Sequence, residues 1–205
     1  MTKLYYQGHA SYRITASDGR VMYIDPYAGG GYEPPADIVL ITHQHRDHNK
    51  LNLVKQKPGC VVITNAEALA GGRYNKFSAG GIEIEAVTAK NFMHSPKKCV
   101  GYLIFIDGVK IYASGDTSRT EQMKDFAALR LDYAILCCDG LANMGLKESA
   151  ECAALIGAKH NIPVHLAPGR LFSAKRAAQW QAPNPLIIEP GNEIELKPSE
   201  NEKGK

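Results

Sequence analysis

The sequence lacks a long apolar run. No segment of the 205 residues approaches the length needed to cross a membrane, and the first residues, MTKLYYQGHASYR, contain no apolar stretch of signal-peptide length. We therefore expect a cytoplasmic protein without a membrane partner.

Repeats and linker-like stretches are also absent. The chain shows no similarity at a fixed residue period, and its 44% hydrophobic residues are enough for one substantial core. We predict one domain over residues 1–197. The remaining residues, 198–205, are charged and lack apolar side chains, which predicts a disordered tail.

Neither sign of charge is in large excess. The chain has 24 Lys and Arg against 21 Asp and Glu, a formal net charge of +3, and the basic residues are spread along its length. Nucleic-acid-binding domains concentrate basic residues in a patch or stripe. We therefore expect no nucleic-acid partner.

Cysteines are few and odd in number. The five lie at irregular spacings, and two of them are adjacent inside the apolar run YAILCC. This pattern is typical of small buried residues in a reducing compartment rather than of disulfides or metal ligands. The five are Cys60, Cys99, Cys137, Cys138 and Cys152.

Apolar runs alternate with turns marked by glycine and proline. The runs KLYYQ, ASYRIT and RVMYID predict an antiparallel meander, and VGYLIFIDGVKIYAS predicts a hairpin around Asp107-Gly108. Further strands are predicted in ADIVLIT, CVVIT, GIEIEAV, LDYAILCC and IPVHL, with two strand-like pieces in PLIIEPGNEIEL. Interleaved with them, the pattern predicts helices in NKLNLVKQ, SRTEQMKDFAAL, LKESAECAALIGA and SAKRAAQW. The patterning favours an α/β or α+β domain.

Two of these predicted helices carry more detailed expectations. In SRTEQMKDFAAL, Ser118 is expected to cap the helix, with Glu121 three residues further on. In LKESAECAALIGA, small residues at helical spacing predict a close-packing face. That face would contain Ala150, Ala153, Ala154 and Gly157.

The stretch ITHQHRDHNK, residues 41–50, places three of the seven histidines and an aspartate within six positions. His43 and His45 lie two apart at the end of a predicted buried strand, so both imidazoles point the same way in extended backbone. Asp47 and His48 follow as the chain turns. Imidazole and carboxylate are ligands of zinc and related divalent ions. The alternative is a solvated polar loop, and four residues cannot complete two metal sites.

Further candidate ligands lie at three other strand ends. His94 precedes the predicted strand CVGYLIF, Asp116 follows the strand KIYAS, and His165 ends the run IPVH. Each alone would more often be structural. Their placement at independent strand ends strengthens the case for a metal site.

The pattern HxHxDH, a distant histidine, GDT and a late histidine resembles the metallo-β-lactamase superfamily. The segments QGHASYRI…VMYIDPY and CDGLANMGLKESAECA…IPVHLAPG resemble its small cytoplasmic metal-dependent hydrolases, which include lactonase-like and phosphodiesterase-like members. The resemblance covers nearly the whole chain. It implies a four-layer αβ/βα sandwich, an α/β fold in which two mixed β-sheets are flanked by helices.

The resemblance also implies a site for two divalent metal ions. The first ion would be held by His43, His45 and His94, and the second by Asp47, His48 and His165. Asp116 would bridge them, because a carboxylate can give one oxygen to each ion. Zinc suits this set best, and manganese or iron would fit the same ligands.

The implied chemistry is metal-dependent hydrolysis. The ligand count leaves room on each ion for water and substrate. A water between two ions has its pKa, 15.7 in bulk, lowered toward about 7, and the hydroxide would attack an electrophilic carbon or phosphorus. Asp47 and Asp116 are the candidate catalytic residues, with Asp47 orienting this water. The substrate would contain a small-molecule ester, lactone or phosphodiester bond.

Several other residues are weaker candidates. Asp25 resembles a family aspartate that fixes the tautomer of a ligand histidine, although a turn aspartate before Pro26 fits equally. His9 is expected to have a structural or supporting role rather than a catalytic one. Asn143 could line the pocket or lead into a helix, and Arg170 could bind an anionic substrate group or lie free on the surface.

Two other functions stay open. One is a phosphodiesterase or nuclease acting on nucleotides or RNA, and the other is a non-catalytic metal-binding sensor on the same fold. The chain lacks an inserted RNA-gripping arm, and His45 stands where the diiron oxygen-reducing branch carries a carboxylate. The metal, the substrate, the proton donor to the leaving group and any homo-oligomer stay undetermined by sequence.

Overall fold

A computed structural model describes residues 1–199, and these residues contain two six-stranded β-sheets. The first sheet has the order β12-β1-β2-β3-β4-β5, and the second has the order β11-β10-β9-β8-β7-β6. The strands of the first sheet are β1 (Lys3–Gly8), β2 (Ser11–Thr15), β3 (Val21–Ile24), β4 (Ala36–Leu40), β5 (Gln56–Ile63) and β12 (Glu193–Glu195). Those of the second are β6 (Lys76–Ala79), β7 (Ile82–Thr88), β8 (Val100–Ile106), β9 (Val109–Ala113), β10 (Tyr133–Cys137) and β11 (His160–Val164).

Both sheets are mixed and follow the same plan. In the first, β12, β1, β2 and β3 pair antiparallel and β3, β4 and β5 pair parallel. In the second, β6 to β9 pair antiparallel and β9, β10 and β11 pair parallel. The predicted meander β1-β2-β3 is confirmed, as is the β8-β9 hairpin, whose turn residues Asp107 and Gly108 have φ of 52° and 80°. The parallel strands matter most for function, because their carboxyl ends lie beside the candidate site.

The main hydrophobic core lies between the two sheets. The alternation of apolar side chains along each strand sends one set inward, including Tyr12 and Ile14 from the first sheet and Tyr102 and Ile104 from the second. A second core covers the outer face of the second sheet, where Met123, Phe126 and Trp180 pack on it. Sheet-on-sheet packing with outer layers is the arrangement that the sequence resemblance implied.

Three short α-helices and three 3₁₀ segments complete the fold. The α-helices are α1 (Asn65–Ala68), α2 (Leu146–Ile156) and α3 (Ala174–Gln179), and the 3₁₀ segments are Leu51–Leu53, Ala70–Gly72 and Glu121–Leu129. The outer face of the first sheet is covered by the loop containing Tyr32, which stacks on Tyr23 at 5.6 Å, and by Val54. No helix among residues 1–199 is long and apolar enough to cross a membrane.

Two predicted helices are wrong in kind. The segment NKLNLVKQ contains only the 3₁₀ turn Leu51–Leu53, because Lys55 already accepts a hydrogen bond from Ala36 and β5 begins at Gln56. Residues 121–129 form a 3₁₀ helix rather than an α-helix. Ser118 does not cap it, since its backbone N–H donates to the Lys90 carbonyl at 2.7 Å and Thr120 occupies the cap position.

Two further expectations need correction. The buried face of α2 consists of Ser149, Cys152, Ala153 and Ile156, whereas Ala154 and Gly157 are exposed and Ala150 is half-buried. Packing selects the stripe with the larger apolar side chains. Of the two strand-like pieces in residues 185–196, only β12 forms a strand. Pro185, which has no N–H to donate, makes an isolated bridge with Asn161.

The cysteines form no disulfides among residues 1–199, and the first residues of the predicted tail contact the domain. All five thiols are free, and four are buried, while Cys60 is half-buried. Within the predicted tail 198–205, Ser199 hydrogen-bonds Asp132 through its backbone N–H and its hydroxyl, at 2.5 Å each. The remaining residues of that segment, 200–205, lie outside the described part of the chain.

Candidate metal centre

The candidate site forms where strands of both sheets end. His43 to His48 follow β4 of the first sheet, while Asp116 follows β9 and His165 follows β11 of the second. His94 lies in the loop between β7 and β8, and His9 occupies the tight turn between β1 and β2. The seven ligands predicted from the sequence therefore come together from both halves of the fold.

The predicted ligands fall into two groups of converging donor atoms, and a third group, Asp25 with His43 and His48, overlaps both. One group contains His43, His45 and His94, and the other contains His9, Asp47, His48 and His165. Within each group the donor atoms lie within 4.8 Å of one another. The groups match the two predicted ligand sets, except that His9 joins the second.

The Asp116 carboxylate lies between the two groups. Its Oδ2 is 3.8 Å from His43 Nε2, and its Oδ1 is 3.4 Å from His48 Nε2 and 3.8 Å from His165 Nε2. One oxygen thus faces each group. This is the position expected of a carboxylate shared by two ions.

Four of the donor atoms that face the centre are buried and have no hydrogen-bond partner. They are His43 Nε2, His48 Nε2, His165 Nε2 and Asp116 Oδ1. Leaving buried polar atoms unpaired is costly, so native proteins rarely do so without a ligand or ion. Tetrahedral zinc with Zn–N bonds of about 2.0–2.1 Å separates its ligand atoms by roughly 3.3 Å. The Nε2 atoms of His94 and His45 are 3.0 Å apart, and the residues therefore fit metal ions by atom type, burial and spacing.

Asp25 and Thr42 fix the orientation of two ligand histidines from behind. The buried Asp25 carboxylate accepts hydrogen bonds from His48 Nδ1 at 2.8 Å and from the Thr42 hydroxyl and backbone N–H at 2.7 Å each. Because the Thr42 hydroxyl uses its only proton on Asp25, its contact with His43 Nδ1, at 3.0 Å, must be one in which Nδ1 donates. In the neutral form both imidazoles therefore carry their proton on Nδ1, which leaves Nε2 as the atom that faces the centre and can bind a metal ion.

His9 supports Asp47. Its side chain is fully buried, with Nδ1 3.0 Å from the Arg170 carbonyl and Nε2 3.1 Å from Asp47 Oδ2. The ring also packs on His165, with centroids 3.8 Å apart. These contacts place His9 against Asp47 and His165, and the supporting role expected from the sequence stays a prediction.

The side chains of Asn91, Asn143 and Asp139 form a series of contacts that connects His94 of one ligand group with His165 of the other. Asn91 Oδ1 accepts from the backbone N–H of His94 at 2.7 Å, and Asn91 Nδ2 donates to Asn143 Oδ1 at 2.6 Å. Asn143 Nδ2 donates to Asp139 Oδ2 at 3.1 Å, and that oxygen is 3.2 Å from His165 Nδ1. Asn143 thus lies between ligands of different groups.

The metal-free electrostatics distinguish the histidines. Burial lowers the pKa of His43 to about 2, and the nearby imidazole of His48 adds to the effect. Burial acts in the same direction on His48, but the carboxylates of Asp116 and Asp25 more than offset it and raise the pKa of His48 to about 9. At neutral pH, His43 is therefore neutral, whereas His48 carries a proton that a metal ion would displace.

The carboxylates at the centre are ionised. The hydrogen bond with His9 holds the pKa of Asp47 well below its usual range. Burial opposes ionisation of Asp116, but the imidazoles of His48, His165 and His43 outweigh it and lower its pKa. Anionic carboxylates are the protonation state that divalent ions require.

Several site residues have a positive φ, a backbone conformation that non-glycine residues rarely adopt. His9, Asp25 and His165 have φ of 59°, 45° and 49°, and they are three of the six non-glycine residues with positive φ among residues 1–199. Such conformations cluster at functional sites, where the surrounding structure enforces them. Gly115 also has positive φ, 58°, and a Cβ there would lie 2.7 Å from the Val100 carbonyl. The sequence GDT therefore needs its glycine to place Asp116.

An open pocket of about 140 Å³ leads from the surface to the ligands. Asn143 lines it, as does Asp139, but Arg170 does not; its side chain is exposed and only its carbonyl contacts the site through His9. A larger cleft, about 690 Å³, lies between α2 and residues 179–183, and its lining contains no histidine or cysteine. The smaller pocket is therefore the candidate active site, because it contains the predicted metal ligands.

Thr42 and Asn91 are the supporting residues that sequence reasoning missed. Thr42 immediately precedes the histidine motif, and Asn91 lies three residues before His94. Neighbouring polar residues are common beside any ligand. Their roles depend on partners distant in the chain, Asp25 and Asn143, so no local signal identified them.

Comparisons with known proteins identify the family of this chain. The family profile described as "Beta-lactamase superfamily domain" matches residues 3–165. A metal-dependent hydrolase from Pyrococcus furiosus is 28% identical, with 96% of this chain and 100% of the relative covered, and one from Thermococcus onnurineus is 30% identical, with 80% and 84% covered. The structure of Igni18, a metallo hydrolase from Ignicoccus hospitalis, superposes with a TM-score of 0.74 at 21% identity, covering 96% of this chain and 99% of that one.

The structural likeness confirms the predicted fold, and the sequence matches confirm the resemblance drawn from HxHxDH. The family match ends at His165, the last predicted ligand, so it contains the whole ligand set. The chain belongs to the metallo-β-lactamase superfamily, among its metal-dependent hydrolases.

Proposed function

We propose that the protein is a binuclear hydrolase that cleaves an ester, lactone or phosphodiester bond of a small molecule. The observation that carries this proposal is the position of Asp116, whose two carboxylate oxygens face separate groups of donor atoms. One group contains the buried, unpaired Nε2 of His43, and the other contains those of His48 and His165. His43, His45 and His94 would hold one ion, Asp47, His48 and His165 the other, and Asp116 both. Zinc is the first candidate, and manganese or iron suits the same donors.

When bound, such ions supply Lewis acidity and make a hydrolytic nucleophile accessible at neutral pH. The protein's own contribution is to hold the donors in place before any ion arrives. Asp25 and Thr42 hold the Nδ1 protons of His48 and His43 and so direct both Nε2 atoms toward the centre. Preorganised ligands of this kind do not need to reorient during turnover.

Asp47 is the second carboxylate with a proposed catalytic role. Its side chain is 35% exposed, whereas that of Asp116 is 7% exposed, so Asp47 faces the open side of the centre. His9 holds it there and keeps it anionic. An anionic oxygen at the pocket floor can accept a proton from an attacking water and orient it toward the substrate.

The pocket defines where a substrate would enter. His45, Asp47 and His94 line it beside Asp116 and His165, so a scissile group placed there reaches members of both ligand groups. Its volume of about 140 Å³ admits only a small reacting group, with the rest of the molecule outside. Because the basic residues are spread along the chain rather than gathered in a patch, we propose a small-molecule substrate rather than a nucleic acid.

The test is a hydrolysis panel on zinc-loaded protein, comparing a phosphodiester, a phosphomonoester, a simple ester, a sugar-acid lactone and a thioester. We expect turnover of one bond type that a chelator abolishes. Asp116→Ala should lose at least about 100-fold in kcat/KM because both groups lose a donor. Asp125→Ala, which removes an exposed carboxylate from the 3₁₀ helix, is the matched control. Equal rates in the Asp116→Ala variant and the parent protein would refute the proposal.

We also propose a cytoplasmic setting. The support is that all five thiols among residues 1–199 are free, including the adjacent buried pair Cys137 and Cys138. Unpaired cysteines persist in reducing compartments. Thiol titration of protein taken directly from cell fractions would test the assignment.

A further inference from the structure

The mouth of the pocket carries exposed apolar side chains. Phe92 is 79% exposed, Leu141 69% and Met93 58%, and apart from Met1 no other large hydrophobic residue among residues 1–199 exceeds Ile187 at 41%. Met93 and Leu141 line the pocket itself. Large apolar groups left in water beside a site usually mark a surface that binds something apolar.

These side chains lie on two loops that are tied to the ligands. Met93 directly precedes His94, and its backbone N–H donates to Asn91 Oδ1 at 2.8 Å. The backbone N–H of Leu141 donates to Asp139 Oδ1 at 2.9 Å. The Asn91–Asn143 hydrogen bond joins the two loops. The apolar rim, defined as Met93 and Leu141, is therefore fixed relative to the metal ligands, and the exposed Phe92 is the chain neighbour of Met93.

The rest of the lining shows which charge the pocket favours. Its other members are Ala142, Pro168, Gly169 and Asn143, together with Asp139 and the metal ligands. No lysine or arginine is among the lining residues, and Arg46 and Arg170 are exposed outside it. Sites that bind phosphate usually place arginine, lysine or a helix N-terminus against it. Apart from any bound metal ions, this lining supplies no positive charge, and its Met93 and Leu141 side chains suit an uncharged group with an apolar extension.

We propose that the apolar rim binds the acyl chain of a neutral carboxylic ester or lactone, with Met93 and Leu141 setting the preferred chain length. This inference rests on the proposed hydrolase function and narrows it to carbon rather than phosphorus. In the reaction, water oxygen bonds to the acyl carbon and the bond from that carbon to the alkoxy oxygen breaks. The alkoxy oxygen takes a proton, and the products are a carboxylate, a released proton and an alcohol, joined in one molecule for a lactone.

The experiment compares p-nitrophenyl acetate, p-nitrophenyl hexanoate and bis(p-nitrophenyl) phosphate on zinc-loaded protein. We expect kcat/KM for the hexanoate to exceed that for the acetate by at least about tenfold, because each buried methylene adds to binding. Leu141→Ser and Met93→Ser should each reduce the hexanoate value by about fivefold or more and leave the acetate value within about twofold. Ile187→Ser is the control, because it removes an exposed apolar residue away from the pocket. Its neighbour Leu186 donates to the Asn161 carbonyl, at the end of β11 opposite His165. This variant should change kcat/KM for neither ester.

Different failures have different meanings. Three results would overturn the inference while the hydrolase function stands. They are faster turnover of the phosphodiester, equal rates for both esters, and serine variants that slow both esters alike. If all three substrates were inert, the proposed function would fail on this panel. Calorimetric binding of the free hexanoate and acetate anions, the acid products of the two esters, would then test the inference by itself. Tighter binding of hexanoate that weakens in Leu141→Ser supports the apolar rim, and equal affinities overturn it.

Discussion

His48 Nδ1 donates a hydrogen bond to Asp25 Oδ2 at 2.8 Å, and both side chains are almost completely buried. The same carboxylate accepts two hydrogen bonds from Thr42, whose hydroxyl also accepts from His43. One aspartate therefore sets the tautomer of a ligand in each of the two groups. Its removal should affect both candidate ion sites together.

Asp25→Asn should lower zinc affinity at both sites by about 10–100-fold. The amide puts an NH₂ group where a carboxylate oxygen accepts from His48 or Thr42, so at least one donor loses its partner. Competition with a chromophoric chelator measures the affinities and the stoichiometry. Asp125→Asn, at an exposed aspartate, should leave both unchanged. Weakening of only one site would contradict the shared role of Asp25.

Thr42→Val should weaken the zinc site that contains His43, again by about 10–100-fold, because His43 Nδ1 loses its acceptor and the bare Nε2 is no longer enforced. Valine keeps the branched shape of threonine without the hydroxyl. Thr42→Ser keeps the hydroxyl and is expected to retain most of the affinity. Equal weakening in both variants would mean that packing by the methyl group, rather than the hydrogen bond, positions His43.

Gly115→Ala should destabilise the protein more than an ordinary glycine substitution. Gly115 and Gly157 have similar φ, 58° and 67°, but a Cβ at Gly115 meets Val100 and Thr42 whereas one at Gly157 meets nothing within 4 Å. Gly157→Ala therefore isolates the cost of the backbone conformation, about 1 kcal/mol. We expect Gly115→Ala to cost about 1–3 kcal/mol more because of the clash. Urea unfolding of the metal-free variants measures the difference, and equal values would refute the steric argument.

Zinc uptake by the group containing His48 should depend on pH. In the metal-free protein the pKa of His48 is raised to about 9 from its usual 6.5. The protonated imidazole stabilises the fold fully below pH 6.5, and this contribution disappears as the pH rises through about 9. Zinc must displace this proton, so affinity should rise by up to about tenfold per pH unit between pH 7 and 9.

Calorimetry in buffers of different ionisation enthalpy would detect the released proton. The lowered pKa of His43 and of His94 makes them neutral at pH 7, so the other group should show a smaller dependence. His160→Gln, at a histidine stacked on Tyr133 at the start of β11, is the control. An affinity that stays constant from pH 7 to 9 at both sites would contradict the assignment of the proton to His48.

The fold and the ligands could be predicted from sequence because both depend on local patterns. Period-two and continuous apolar runs marked most strands. Ligand-type residues followed three of these strands and preceded a fourth. The helix predicted from Ser118 begins only at Glu121, because the Ser118 N–H donates to the Lys90 carbonyl in a loop next to Asp116, a contact that no local pattern encodes. Asn91 and Thr42 were missed for the same reason, since a polar side chain reveals its role only when its distant partner is known.

The division of the candidate ligands between the two sheets has a consequence for how the site assembles. The first sheet's half of the chain supplies His43, His45, Asp47 and His48, and the second supplies His94, Asp116 and His165. Neither group of donors is complete within one half. Metal ions would therefore be captured only after the halves have docked, and once bound they would link the halves as a crosslink does, so chelation should speed their separation during unfolding.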